Sequence, residues 1–144
     1  MTRPSFQQLN TDWNAEPNVP KPGVEVVGRD LRLHFYLNPF QYPKFKRNDV
    51  GIVRFRMCAR YRLGETNDEG WYRGQCRYSK AAPAWGDFYE IIGPDSVADQ
   101  PNDWIHVSNE ASVRHFIFYF RDETFECFAA DWQIERCDGN ALSG

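Results

Sequence analysis

The sequence predicts a mainly β fold: a single antiparallel sandwich or small barrel of about seven strands, with one or two short helices. Three observations carry this expectation. Across residues 53–63 apolar residues alternate with arginines, the period of a strand with one covered face. Aromatic residues make up 16% of the chain, and large rings suit half-buried pleated surfaces. Apolar runs of strand length recur between clusters of Gly, Pro, Asn and Asp. A length of 144 residues matches one ordinary domain. Such a chain buries about two-thirds of its unfolded surface, enough for a core without staples.

Residues 1–22 read as an arm punctuated by Pro4, Pro17, Pro20 and Pro22. Ser5 and Gln8 have capping-box spacing, and Phe6, Leu9 and Trp13 share one helical face, which predicts a helical turn or two there. Each residue before a proline is pushed out of the α region, so residues 14–22 should be extended. Trp13 is the expected anchor of the arm.

A β domain is expected over residues 23–137. Within it, 24–37 reads as strand, with Leu31, Leu33, Phe35 and Leu37 alternating with Arg32, His34 and Tyr36. Gly28 marks a bulge or break. The prolines of 38–48 make that segment a loop. A strand over 50–63, an acidic turn flanked by Gly64 and Gly70, and a strand over 71–78 read as a hairpin. Residues 85–92 form a further strand, ended by Gly93 and Pro94. After a polar linker, 104–107 suits a short strand, and Ser108 suits the cap of a helical turn over 109–112. Residues 113–120 and 124–130 read as a second hairpin. Pairing Phe120 with Phe125 there aligns Phe118 with Cys127 and leaves one face wholly apolar. Ala130, Trp132 and Ile134 fit either a strand or a short helix. Residues 138–144 are a polar tail.

Net charge is −3, which argues against nucleic-acid binding over the whole surface. The charge is unevenly placed: residues 1–80 hold 14 Lys and Arg against 8 Asp and Glu, and residues 81–144 hold 3 against 12. The four cysteines, Cys58, Cys76, Cys127 and Cys137, form no C-x-x-C pair. No apolar leader opens the sequence, and no run approaches the ~18 residues of a membrane helix. A cytoplasmic protein with reduced thiols, not bound to a membrane, is the expectation.

The strongest signal is the set of guanidinium groups. Arg54, Arg56, Arg60 and Arg62 share one parity of the 50–63 strand, with Cys58 among them. If Tyr61 pairs with Tyr72 in the first hairpin, Arg60 faces Arg73 and Arg56 faces Arg77; the other allowed register, two residues along, sets Arg62 against Arg73. Like charges placed across a ladder destabilise it. Relief comes from carboxylates of the acidic half, such as Asp87, Glu90, Glu126, Asp131 and Glu135, or from a bound anion. Guanidinium forks fit carboxylate and phosphate better than lysine does. Arg54, Arg56, Arg60, Arg62, Arg73 and Arg77 are therefore the candidate ligand-binding residues.

Other signals are weaker. Phe40, Tyr42 and Phe45 interleave with Lys44, Lys46 and Arg47, a pattern able to stack single-stranded bases, although such rings more often tack a loop to its body. Glu65, Asn67, Asp68 and Glu69 lack the spacing of a calcium loop. No two of His34, His106 and His115 lie at metal-ligand spacing, and His115, among apolar neighbours, reads as a hydrogen-bonded core histidine. No P-loop, G-x-S-x-G or G-x-G-x-x-G is present, so no cofactor or metal is called for.

The function these residues support is a non-catalytic binding module. Its arginine face would engage an acidic protein surface or a small anion, and an exposed strand edge would permit a homodimer. Two alternatives stand beside it. One is a small hydrolase-like enzyme using His34 with Asp87 or Glu90 on an anionic substrate. The other is a single-stranded nucleic-acid binder.

Overall fold

Leu31, Leu33 and Phe35 are 1% exposed or less, while Arg32 and His34 between them reach solvent. Period two becomes strand in this way in the computed structural model, which describes residues 5–64, 87–93, 104–111, 113–120 and 123–137. Those residues form ten strands: β1 (Ser5–Gln8), β2 (Gly23–Val27), β3 (Asp30–Tyr36), β4 (Val50–Arg56), β5 (Arg60–Gly64), β6 (Phe88–Ile92), β7 (Ile105–His106), β8 (Arg114–Tyr119), β9 (Thr124–Ala129) and β10 (Asp131–Cys137). All pairings are antiparallel. One sheet has the order β1-β6-β8-β9-β5-β7 and the other β10-β4-β3-β2. The two do not close into a barrel; they form a sandwich.

The core lies between the sheets. Phe55 of β4 meets Phe116 of β8 at 5.3 Å between ring centroids, and Phe35 of β3 meets Phe118 of β8 at 5.1 Å. Burying one such side chain stabilises by about 1.5–3 kcal/mol. A single cross-strand pair contributes about 0.2–1 kcal/mol. Core burial therefore dominates, and parity along each strand is set by which residues must face inward.

No helix occurs among the described residues, which corrects the expected short helices. Ser5–Gln8 is strand β1, paired with β6 from Ser5↔Ile92 to Gln8↔Tyr89. A lone helical turn fixes several residues for one hydrogen bond, whereas the edge of β6 offers a ready ladder. Ser108 does not cap a helix: its Oγ donates to the Cys58 carbonyl at 2.7 Å and accepts from Glu110 N at 3.3 Å. The stretch that fitted strand or helix is strand β10, paired along its length with β4.

Trp13 anchors the arm. It is 4% exposed, and its ring lies 5.9 Å from Phe35 and from Phe118 and 6.4 Å from Trp132. Residues 14–20 then run beside the end of β3, with Ala15 bridging Leu37 and Glu16 N donating to Tyr36 O at 2.8 Å. The break at Gly28 is a two-residue turn between β2 and β3. Val27 pairs with Asp30, and Gly28 has φ 63°, the left-handed value that type II′ hairpin turns place on glycine.

The β8–β9 hairpin keeps the expected faces in a different register. Phe118 pairs with Phe125 and Phe116 with Cys127, two residues from the expected alignment. Phe120 leaves the ladder, its N–H donating to Glu123 O at 2.9 Å. A slip of two preserves every inward side chain, so hydrophobic patterning alone cannot select between the two registers.

The run 50–63 is not one straight strand. Arg56 pairs with Asp131, and Arg60 pairs with Phe128. Residues 57, 58 and 59 lie between the ladders on one chain, against 129 and 130 on the other. This one-residue excess is a β-bulge. Met57 adopts φ 52°, Ala59 N donates to Phe128 O at 2.8 Å, and Ala130 N donates to Arg56 O at 2.9 Å. At this corner β4 passes from the four-stranded sheet into β5 of the six-stranded one, and β9 passes back into β10 of the four-stranded one.

Candidate anion-binding cleft

The corner divides the arginine series. Arg54 and Arg56 project outward from the four-stranded sheet, whereas Arg60 and Arg62 project outward from the six-stranded sheet. Their shared parity holds, since all four avoid the core, but they do not share a plane. Arg73 and Arg77 lie outside the described residues, as do the 71–78 strand and the carboxylates of the 64–70 turn. Arg56 has Asp131 as its ladder partner, and Arg60 has Phe128 on one side and His106 on the other.

On the four-stranded sheet the arginines meet carboxylates. Arg32 lies opposite Arg54, with Glu25 opposite Arg32 on the far side. Arg54 Nη2 is 3.1 Å from Asp30 Oδ2, and Arg56 Nη1 is 3.5 Å from Asp131 Oδ2. These side chains are 27–60% exposed, so each pair contributes at most about 1 kcal/mol. His34 lies on the same face, its ring over Gly23; a Cβ at Gly23 would fall 2.4 Å from the imidazole. Glu90 belongs to the other sheet, and Asp87 Oδ1 accepts from Asn10 and Asn14 amides at 3.1 and 3.2 Å. The fold does not bring His34 together with either carboxylate.

On the six-stranded sheet three outward polar residues are buried. Arg62, His115 and Glu126 are 7%, 7% and 2% exposed. Arg62 Nη2 lies 3.1 Å from Glu126 Oε1, and Glu126 Oε2 lies 2.7 Å from His115 Nε2. This is the hydrogen-bonded core histidine expected from sequence, with Glu126 as one of the expected counter-carboxylates. Burial, then the Arg62 and Arg60 guanidiniums, push the His115 pKa down to about 3. The ring is therefore neutral near pH 7. Its carboxylate partner sets the tautomer: Nε2 carries the proton and Nδ1 is the acceptor nitrogen.

Aromatic rings hold the arginines in place. The Arg60 guanidinium carbon is 4.6 Å from the Trp104 ring centroid and 4.5 Å from that of Phe128. Arg62 lies 4.0 Å from Trp104. Phe128 in turn stacks on His115 at 4.2 Å and 19°. Cation–π contacts of this kind contribute about 0.5–2 kcal/mol each and restrict the guanidinium plane.

Arg60 and His115 open onto a cleft of about 490 Å3, also lined by Phe128, Ile91, Glu90 and Arg114. Arg114 and Glu90 form a two-point pair, Nη2–Oε1 at 2.7 Å and Nε–Oε2 at 2.9 Å, and Glu90 raises the Arg114 pKa. Among the described residues the lining carries two guanidiniums and one carboxylate. Sequence reasoning did not select Arg114; its available signal was that only Arg114, Arg121 and Arg136 are basic beyond position 80.

Two other candidates changed character. Cys58 turns inward at the corner, fully buried, instead of lying among arginines. A side-chain hydrogen bond with Cys127 lowers its pKa, while burial raises that of Cys127. In the aromatic loop, Phe45 is buried and lies edge-on to Tyr42 at 6.4 Å, and Lys44 pairs with Asp12 at 2.7 Å. Among the described residues no cluster suits a metal ion, and no helix is long and apolar enough to cross a membrane. A comparison with known protein families, curated proteins and solved structures returned no match for this chain.

Proposed function

We propose that this chain is a non-catalytic binding module that holds a small anion in the cleft between Arg60 and Arg114. The observation that carries the reading is the seating of Arg60 on Trp104 and Phe128 at the cleft wall. A guanidinium fixed by two rings loses little freedom when an anion arrives, so more of the interaction appears as affinity. Arg114, on β8 of the same sheet, brings a second guanidinium to the cleft, oriented by its two-point pair with Glu90. His115 adds a neutral polar edge.

The same chemistry argues for binding over proton transfer. A histidine with a pKa of about 3 is a weak base at neutral pH, and Glu126 is held by Arg62. Arg54 and Arg56 are poorer anchors, because among the described residues neither is seated on aromatic rings as Arg60 is on Trp104 and Phe128. Calorimetric titration with citrate and with inorganic phosphate tests the reading. Arg60→Met should weaken citrate at least about tenfold, roughly 1.4 kcal/mol, and Arg56→Met should leave it unchanged. If citrate and phosphate both fail to bind at about 10 mM, weaker than roughly 3 kcal/mol of binding, the cleft is not an anion site.

A further inference from the structure

A second concavity carries an inference independent of the cleft. It measures about 680 Å3 and is walled by residues 16–21 of the arm and by the 38–48 loop, with Tyr36 between them. Phe40 and Val19 line it at 71% and 49% exposure. Lys21 and Arg47 line it too, and both are exposed. We propose that this groove docks an acidic peptide segment of a partner protein, seating an apolar side chain against Phe40 and Val19 while carboxylates of the segment meet Lys21 and Arg47.

Both walls are built, so the exposed ring is not an accident of a loose loop. Asn38 Oδ1 accepts from Phe40 N at 3.0 Å and Gln41 N at 3.1 Å. Buried Asp49 accepts from Lys46 N at 2.9 Å, and buried Phe45 pins the loop's centre. On the other wall Tyr36 N donates to Pro20 O at 2.9 Å. Phe40 is thus held outward by groups that are themselves fixed. A single exposed apolar residue needs no explanation; Phe40 and Val19 together, rimmed by cations, have the anatomy of a small recognition patch.

Charge selects the occupant. Glu16, the one carboxylate among the described lining residues, accepts from Asn18 N at 2.8 Å and Val19 N at 2.7 Å, so it faces its own backbone. Lys21 and Arg47 have no ion-pair partner among the described residues. A chain of net charge −3 therefore presents a local positive rim around an apolar floor. That combination complements acidic residues flanking an apolar one. Single-stranded nucleic acid fits less well. Successive bases need several free rings along a cationic track; Phe45 is buried, Tyr42 packs against it, and Lys44 is paired with Asp12.

The test uses the full chain and fluorescein-labelled peptides of about 12 residues, each with one central Leu or Trp flanked by Asp and Glu. Fluorescence polarisation at low salt should give micromolar binding that weakens as salt rises. Phe40→Ala, at an exposed site, should weaken it about tenfold, and Lys21→Glu with Arg47→Glu should abolish it. Arg60→Met should leave it intact, which separates this groove from the anion cleft. The proposal is overturned if no acidic peptide binds at about 200 µM, a free energy weaker than roughly 5 kcal/mol. It is equally overturned if Lys-flanked peptides bind as well, if Phe40→Ala has no effect, or if labelled oligothymidine binds the groove and the peptides do not. Peptide binding lost because wild-type chains occupy one another's grooves, seen as a dimer by sedimentation that Phe40→Ala dissociates, also overturns it.

Discussion

Arg56 and Arg60 lie four positions apart on one run of chain and project outward from opposite sheets of the sandwich. Arg56 meets Asp131 across the four-stranded sheet, and Arg60 meets Phe128 across the six-stranded one. The bulge at residues 57–59 lets one strand serve both. The positive charge is thereby divided into a solvent-exposed set with nearby carboxylates and a set packed against Trp104, of which Arg62 is buried and Arg60 half-buried.

Met57 sits at that bulge with φ 52°. A non-glycine residue held there costs about 1 kcal/mol, and a β-branched one costs more. Met57→Gly should raise the urea midpoint or leave it unchanged. Met57→Ile should lower stability by about 1–2 kcal/mol. Equal destabilisation by both would mean that the Met57 side chain, not its backbone, matters at the corner.

Arg62 and Glu126 form a buried pair, with side chains 8% and 3% exposed. Removing one partner leaves the other charge buried without this ion pair. Arg62→Met should destabilise by about 3–5 kcal/mol. Adding Glu126→Gln should recover more than half of that loss, because the amide can still bond His115 and no charge is left behind. A double-mutant cycle by chemical denaturation reads the coupling directly; strictly additive losses would contradict a paired site.

His115 makes stability depend on pH. Its folded pKa is about 3, against an ordinary value of 6.5. Between those values the unfolded chain binds a proton that the folded chain excludes. Stability contributed by this group is complete above about pH 6.5 and falls as pH drops toward 3, with a slope of up to about 1.4 kcal/mol per pH unit. His115→Gln should flatten that part of the profile in urea denaturation series. A wild-type profile that is flat between pH 4 and pH 6.5 would contradict a buried neutral histidine.

Much of the architecture was legible because burial imposes local periodicity. The inward sets Leu31, Leu33, Phe35 and Phe116, Phe118 stand where period two places them, and Trp13 holds the arm. The helical turns expected at Ser5 and after Ser108 were misread for one reason. Capping-type side chains also serve turns and strand edges, and a short segment takes whichever backbone partner lies beside it. For the cleft, Arg60 and the carboxylate Glu90 were visible in sequence as charges seeking counter-ions. Arg114 was not, because its role depends on facing Glu90 across two strands 24 residues apart.

The chain by itself determined strand class and side-chain parity, since both follow from the pleat of the backbone and the demand to bury alternate apolar residues. Tertiary structure alone decided which sheet each arginine joins, which carboxylate it meets and whether water reaches it. Those outcomes depend on pairings between residues such as Arg62 and Glu126, 64 positions apart, and on one extra residue at a corner. A bulge leaves the inward alternation intact while redirecting the strand, so no local pattern records it.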